Sequence, residues 1–105
     1  MLENALNTAC AVPLQIMGCC AKGILLAEEY AAKGSVLALS DAGCAAVLCK
    51  AALQAASLNV FVNTKLMKDR SRAEQLNQQA QGLLDGFLPR ADAVFTRVDR
   101  RLREE

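Results

Sequence analysis

The sequence predicts an all-α protein, an antiparallel helical bundle of three to four helices that is completed by oligomerisation. Apolar residues recur at three- and four-residue steps through most of the 105 residues, which is the period of an amphipathic helix. The composition is 53% hydrophobic but only 4% aromatic, and no strand-like alternation interrupts the helical pattern. A chain of this length forms one domain, so we expect a single helical domain over residues 1–105.

Hydrophobic residues are concentrated in the first part of the chain. Residues 1–64 contain 41 of the 56 hydrophobic residues but only seven of the 23 charged ones. A chain of about 100 residues buries only about 60–70% of its unfolded surface, so short helices cannot hide this apolar content alone. We therefore expect a second copy, in a homodimer or higher homo-oligomer, to cover it. The alternative, an Ala-rich surface that tolerates water, stays open.

Composition and charge exclude several classes of function. The absence of His removes His-based acid–base catalysis, Ser-His-Asp triads and His-containing zinc sites. A net charge of +1 gives no general attraction to nucleic acid. No apolar run approaches the roughly 20 residues that span a bilayer, and no signal-peptide pattern is present. We expect a cytoplasmic protein with no metal site and no nucleic-acid or membrane partner.

The five cysteines form no recognisable disulfide or metal framework. Their number is odd and they contain no CxxC motif. Each lies inside a helical pattern rich in Ala and Leu, where a thiol behaves as a small hydrophobe. We therefore expect buried, reduced thiols at all five positions, which are Cys10, Cys19, Cys20, Cys44 and Cys49.

The first helical pattern covers about residues 2–11 and meets Pro13. Proline either kinks this helix or opens the next one at its first position. The helical spacing continues from Pro13 to about Lys33, where Gly34 supplies a C-terminal stop. Residues 35–39 are predicted to form a short connection.

The next helix is predicted to begin at Ser40 and to end near Asn63. The Ser40 hydroxyl can cap a free N–H, and Asp41 favours the positive end of the helix dipole. Its core stripe is predicted to consist of Cys44, Leu48, Ala51, Ala55, Leu58 and Val62. Beside this core stripe runs a stripe of small residues that ends in Asn59 and Asn63. Small residues permit close approach by another helix, so this helix is predicted to be central.

The last segment carries apolar residues at helical spacing from Ala73 to Leu102. Because the spacing continues across Gly86 and Pro89, the simplest prediction is one long amphipathic helix with a kink. Two helices with a break near Pro89 are the alternative.

Few polar residues interrupt the apolar faces. Asn59 and Asn63 are amides that are costly to bury without hydrogen-bond partners. They either bond a neighbouring helix and fix the packing, or line a polar cavity that holds a ligand's amide or carboxylate, with Lys65 as a nearby cation. Asp41 is either a helix-start residue or a proton acceptor.

Several short motifs occur in a characteristic order over about residues 5–100. They read AVPL at 11–14, KG at 33–34, SDAG at 40–43, NVFVN at 59–63 and KD at 68–69. Together they resemble the cyclodeaminase/cyclohydrolase family, the helical domain of formiminotransferase-cyclodeaminase and of the methenyltetrahydrofolate cyclohydrolases. The resemblance implies an all-α homodimer in folate one-carbon metabolism, which deaminates formimino-tetrahydrofolate or hydrolyses the methenyl form.

The resemblance also implies roles for individual residues. Asp41 becomes the candidate catalytic acid–base group. Ser40, Asn59 and Asn63 become candidate ligand-binding residues, and Lys65 a candidate contact for the anionic folate tail. A tetrahydrofolate derivative is the implied substrate, and no covalently bound cofactor is implied.

The chain departs from the family pattern in two ways. It resembles the C-terminal half of the family domain alone, without the Gly-rich loop of the first half, and residues 35–39 lack the usual Asn-Pro-Asn. Whether it is an enzyme therefore stays open. One hypothesis is a folate one-carbon enzyme, or a truncated part of one, that uses Asp41. The other is a non-catalytic, self-associating helical module without folate chemistry.

Overall fold

Three long helices make up the protein. The computed structural model describes residues 2–104, with α1 at Leu2–Lys33, α2 at Val36–Leu66 and α3 at Arg70–Arg103. Each helix is about 45–50 Å long and only short turns join them, so consecutive helices run antiparallel along a molecule of 59 × 17 × 16 Å. The all-α fold is confirmed, with three helices of the predicted three to four.

α1 is one continuous helix that contains Pro13. The sequence left open whether Pro13 kinks this helix or begins a new one, and no new helix begins there. The predicted stop at Gly34 is confirmed: its N–H donates to the carbonyl of Tyr30 at 2.7 Å. A Cβ at Gly34 would lie 2.5 Å from that carbonyl oxygen, so the close approach of backbone requires glycine here.

The predicted start of α2 is wrong. The helix begins at Val36, with Ser35 as N-cap accepting a hydrogen bond from the N–H of Ala38. The Ser40 hydroxyl instead donates to the carbonyl of Leu37, inside the second turn. Both serines precede an apolar run, but Ser35 follows the helix-ending glycine directly and caps first. Asp41 is therefore an interior helix residue, and its predicted role at the helix start is also wrong.

The predicted core stripe of α2 is wrong as well. All six of its members are exposed: Cys44, Leu48, Ala51, Ala55, Leu58 and Val62. The core lies on the opposite face, where Leu53 is 0% exposed against 68% for Leu48. The reason is that α2 is apolar on both faces, so its spacing alone does not determine which face meets the bundle.

The apolar stripe of α3 is confirmed for all but its last member. Ala73, Leu76, Ala80, Ala91, Val94 and Val98 are buried. Leu83 and Phe87 are half-buried, whereas Leu102 is exposed. The helix runs continuously through Pro89, so the alternative of two helices is wrong.

The cysteines are only in part as predicted. All five thiols are free. Cys10 and Cys20 are buried, and burial raises the pKa of both thiols. Cys19 and Cys44 are exposed and Cys49 is half-buried, because the apolar faces that carry Cys19 and Cys44 point away from the bundle.

The molecule exposes more surface than a compact domain of its size. Its accessible surface is 6684 Å², whereas about 5,700 Å² is typical of a globular protein of this mass.

α1 and α2 are each long and apolar enough to cross a membrane, by length and composition alone, with mean hydropathies of 1.6 and 1.7 over their most apolar windows. The sequence-based expectation that no segment reaches this threshold is thus wrong.

Candidate functional site

The candidate catalytic residue, Asp41, lies in the second turn of α2 with its side chain exposed. It borders a groove of about 420 Å³ between α1 and α2. Leu26, Tyr30 and Cys49 also line this groove. Since Asp41 caps no helix, its carboxylate is available to a ligand in the groove.

The candidate amides lie at the other end of α2. The Asn63 side chain donates to the carbonyl of Asn59 at 2.8 Å and to the carbonyl of Ala9 at 3.4 Å. The second bond crosses from α2 to α1, so Asn63 has the packing role that the sequence allowed. Asn59 lies one turn earlier and is exposed.

Ser40 and Lys65 lie on the opposite flank of α2, beside α3. Ser40 borders an apolar groove of about 450 Å³ together with Phe95. Lys65 borders a separate groove of about 460 Å³, where Glu74 is also found. Neither residue shares a groove with Asp41.

One chain does not bring the predicted site residues together. At about 1.5 Å of rise per residue, Asp41 is about 27 Å from Asn59 and about 33 Å from Asn63 along α2. Asp41, Asn59 and Asn63 share the α1 flank of the helix, whereas Ser40 and Lys65 share the α3 flank. The five residues therefore do not form one site within a single molecule.

A polar cluster that sequence reasoning missed joins the start of α1 to the start of α3. The Glu3 carboxylate accepts hydrogen bonds from the N–H groups of Lys68 at 2.5 Å and Asp69 at 3.2 Å. Arg70 donates to the carbonyl of Thr64 at 2.8 Å. The motif at 68–69 is thus a structural turn, in which a carboxylate satisfies backbone donors at a helix start.

An ion pair also ties α1 to α3. The Arg90 guanidinium donates two hydrogen bonds to Glu28, at 2.6 and 2.8 Å. These bonds lower the pKa of the Glu28 carboxyl, against a smaller opposing effect of burial. The pair lies near the end of α1, whereas Asn63 contacts Ala9 near its start, so the two contacts hold opposite ends of the bundle.

The solvent-facing side of α2 is almost free of charge. We define the outward face of α2 as nine exposed residues at steps of three and four: Leu37, Asp41, Cys44, Leu48, Ala51, Ala55, Asn59, Val62 and Leu66. Asp41 is the one charged member of this set. Exposed apolar residues of α1 extend the surface alongside it, among them Val12, Ile16, Leu26 and Tyr30.

Within residues 2–104, no group of three His, Cys, Asp or Glu side chains is placed to hold a metal ion. At the groove the described residues offer one exposed carboxylate, one phenol and the half-buried thiol of Cys49 beside an apolar wall. The described residues form a helical bundle whose central helix has an uncovered face, and the candidate site on that helix presents the Asp41 carboxylate.

Comparison with known proteins identifies the family. Residues 1–82 match the profile described as Formiminotransferase-cyclodeaminase. A methenyltetrahydrofolate cyclohydrolase from Methylorubrum extorquens is 43% identical over 83 residues, which cover 79% of this chain and 40% of that protein. The chain therefore belongs to the formiminotransferase-cyclodeaminase family, and the resemblance drawn from its motifs is confirmed. It spans about 40% of the length of this relative.

Proposed function

We propose that the chain binds a tetrahydrofolate derivative and hydrolyses its one-carbon unit, as a homodimer or higher homo-oligomer. The relative's name supports the substrate class. The matched stretch is 83 residues long in a chain of 105, so it always contains the middle of the chain, where Asp41 lies. The structural observation that carries the proposal is the position of Asp41. Its carboxylate caps no helix and borders a groove.

The chemistry requires one group that accepts and returns a proton. A methenyl carbon between two nitrogens is an amidinium cation, which a nearby carboxylate stabilises by charge. Asp41 accepts a proton from water as the water oxygen bonds to this carbon. One carbon–nitrogen bond then breaks, the leaving nitrogen takes up a proton, and an N-formyl product remains. The overall reaction consumes one water and releases one proton.

The groove beside Asp41 suits part of a folate. Its volume of about 420 Å³ lies within the range of small-molecule sites. The exposed ring of Tyr30 offers a surface on which a flat heterocycle can stack. The anionic tail of the folate then lies outside the groove, where Lys65 is too distant in the same chain to contact it.

The test follows methenyl-tetrahydrofolate by absorbance with the wild-type chain and with Asp41→Asn. We expect hydrolysis above the buffer rate, and a loss of about 100-fold or more in Asp41→Asn, as for removal of a general acid–base group. Asp85→Asn, an exposed carboxylate on α3, is the matched control and should retain full activity.

A wild-type rate equal to that of buffer would overturn the catalytic proposal. Equal rates for the wild type and Asp41→Asn would overturn the role of Asp41. Equilibrium binding of methenyl-tetrahydrofolate, measured by fluorescence in the same samples, tests the folate assignment apart from catalysis. Absence of both binding and turnover would leave the self-associating module without folate chemistry as the correct hypothesis.

A further inference from the structure

A separate groove runs along the last part of α3, beside the end of α1 and the start of α2. Its volume of about 760 Å³ lies within the range of small-molecule sites. Ala31 and Leu39, which are buried, lie at its floor, and three arginines of α3 line it: Arg97, Arg100 and Arg101. We call it the arginine groove. No residue lines both this groove and the groove beside Asp41.

The arginines of this groove are the ones without a partner in the described structure. All seven arginines of the sequence lie in α3. Four of them donate side-chain hydrogen bonds to other residues: Arg70, Arg72, Arg90 and Arg103. The side chains of the other three form no hydrogen bond or ion pair with any of residues 2–104. The guanidinium groups that remain available to a ligand are therefore gathered at one groove.

The charges around the groove favour an anion. The three arginines stand at helix positions i, i+3 and i+4, so they share one face of α3 and span about 6 Å along its axis. Asp92 and Glu104 are the acidic residues that line the groove. Asp92 is already paired with Lys50 at 2.7 Å, which leaves Glu104 against three guanidinium groups. The groove therefore carries a net positive charge, which attracts anionic ligands.

The number of arginines suits a ligand with two phosphate groups. A guanidinium group binds a phosphate through paired, charge-assisted hydrogen bonds. Each phosphate carries a charge of about −1.5 to −2 and three acceptor oxygens, so two of them supply about as much negative charge as three arginines supply positive charge. The hydroxyl of Thr96, which also lines the groove, is a further hydrogen-bond donor.

The apolar part of the groove is aliphatic. Besides the two buried residues of its floor, Pro89 and Ala93 line it, and no aromatic ring is among its lining residues. An aliphatic group packs against such a surface, whereas a flat heterocycle has no ring on which to stack. In this respect the arginine groove differs from the groove beside Asp41, which contains Tyr30.

The α3 wall of the groove also lies outside the stretch that identifies the family. The matched residues are 1–82, whereas this wall runs from Pro89 to Glu104. We propose that the arginine groove binds a soluble organic diphosphate, with its phosphates on Arg97, Arg100 and Arg101 and its aliphatic body on the floor. This site is independent of the proposed folate chemistry, which uses none of these residues.

The experiment is isothermal titration calorimetry of the full chain, without divalent cations, with inorganic pyrophosphate and geranyl diphosphate as probes. We expect one site per chain. Geranyl diphosphate should bind at least about tenfold more tightly than pyrophosphate, because its aliphatic chain covers the floor. Arg100→Gln should weaken the binding of both probes at least about tenfold, because a charge-assisted pair of hydrogen bonds is lost. Arg100→Lys keeps the charge but not the planar fork and should restore only part of the affinity.

The matched control is Arg103→Gln, which removes the same charge from the same helix. Arg103 does not line the groove and bonds to Asp99, so its loss should change either dissociation constant by less than about twofold. Circular dichroism verifies that each variant folds.

Five results would overturn the proposal. They are no saturable binding of either probe up to about 1 mM, equal weakening by Arg100→Gln and Arg103→Gln, citrate binding as tightly as pyrophosphate, and geraniol binding as tightly as geranyl diphosphate. The fifth is tighter binding to phosphatidic acid vesicles than to geranyl diphosphate, which would assign the arginines to a lipid surface instead of a soluble ligand.

Discussion

Replacing Leu53 with Ala tests which face of α2 forms the core. The Leu53 side chain is 0% exposed and belongs to the main core cluster, where it packs with residues of α1 and α3. The substitution removes apolar groups worth about 2.4 kcal/mol of transfer free energy, at about 0.8 kcal/mol for each carbon. The cavity that remains adds to this loss, so we expect a decrease of about 3 kcal/mol in the free energy of unfolding.

The assay is urea unfolding followed by circular dichroism, with Leu48→Ala as the matched control. Leu48 is 68% exposed, so about a third of its side chain is buried and the same truncation costs about 0.8 kcal/mol in the single chain. The measurement covers a hundredfold range of protein concentration. Any contribution of Leu48 to a dimer fades on dilution, whereas the contribution of Leu53 persists.

The reasoning would be refuted by the opposite ranking at the lowest concentration. If Leu48→Ala cost about 3 kcal/mol there and Leu53→Ala cost less than about 0.5 kcal/mol, the stripe predicted from spacing alone would be the true core. The axial rotation of α2, and with it the placement of Asp41, would then be incorrect.

Three further predictions concern the turn, the ion pair and the thiols. Gly34→Ala should destabilise the protein by about 1–3 kcal/mol because the new Cβ meets a backbone oxygen. Gly82→Ala is the control: it has open space around it and should stabilise the protein by about 0.5–1 kcal/mol. Thermal melts check both. Glu28→Gln should lower stability at pH 7. The difference should begin to shrink as the pH falls below about 4.3, the ordinary pKa of an unfolded glutamate, and should disappear only below the lowered native pKa. Urea titrations at several pH values measure this. A thiol reagent should modify the two exposed cysteines of the monomer first, while Cys10 and Cys20 react only on unfolding, because burial limits access and raises their pKa; mass spectrometry after timed labelling identifies the sites.

The sequence was sufficient to predict α3 but not the orientation of α2. In α3 a single apolar stripe faces a strongly polar surface, so the spacing from Ala73 to Val98 identifies the core directly. In α2 both faces are apolar, and the stripes through Leu48 and Leu53 satisfy the helical period equally well. Only the presence of α1 and α3 on one side decides between them.

The candidate site was predictable as a set of residue types but not as an arrangement. The motifs at 40–43 and 59–63 selected Asp41, Asn59 and Asn63 as candidates, and both motifs lie within the stretch that matches the family. Their separation along one helix already follows from the helix predicted between Ser40 and Asn63. The flank of α2 on which each side chain lies follows only from the packing of α1 and α3 against α2. The structural role of Glu3 depends on a contact between the first and third helices, which no local pattern reports.

The proposed role of Asp41 is tested most directly by the rate at which methenyl-tetrahydrofolate is hydrolysed. The wild type should exceed the buffer rate, and Asp41→Asn should lose about 100-fold or more of that rate while keeping its helical circular dichroism. A wild-type rate equal to that of buffer, or equal rates for the wild type and Asp41→Asn, would contradict the account.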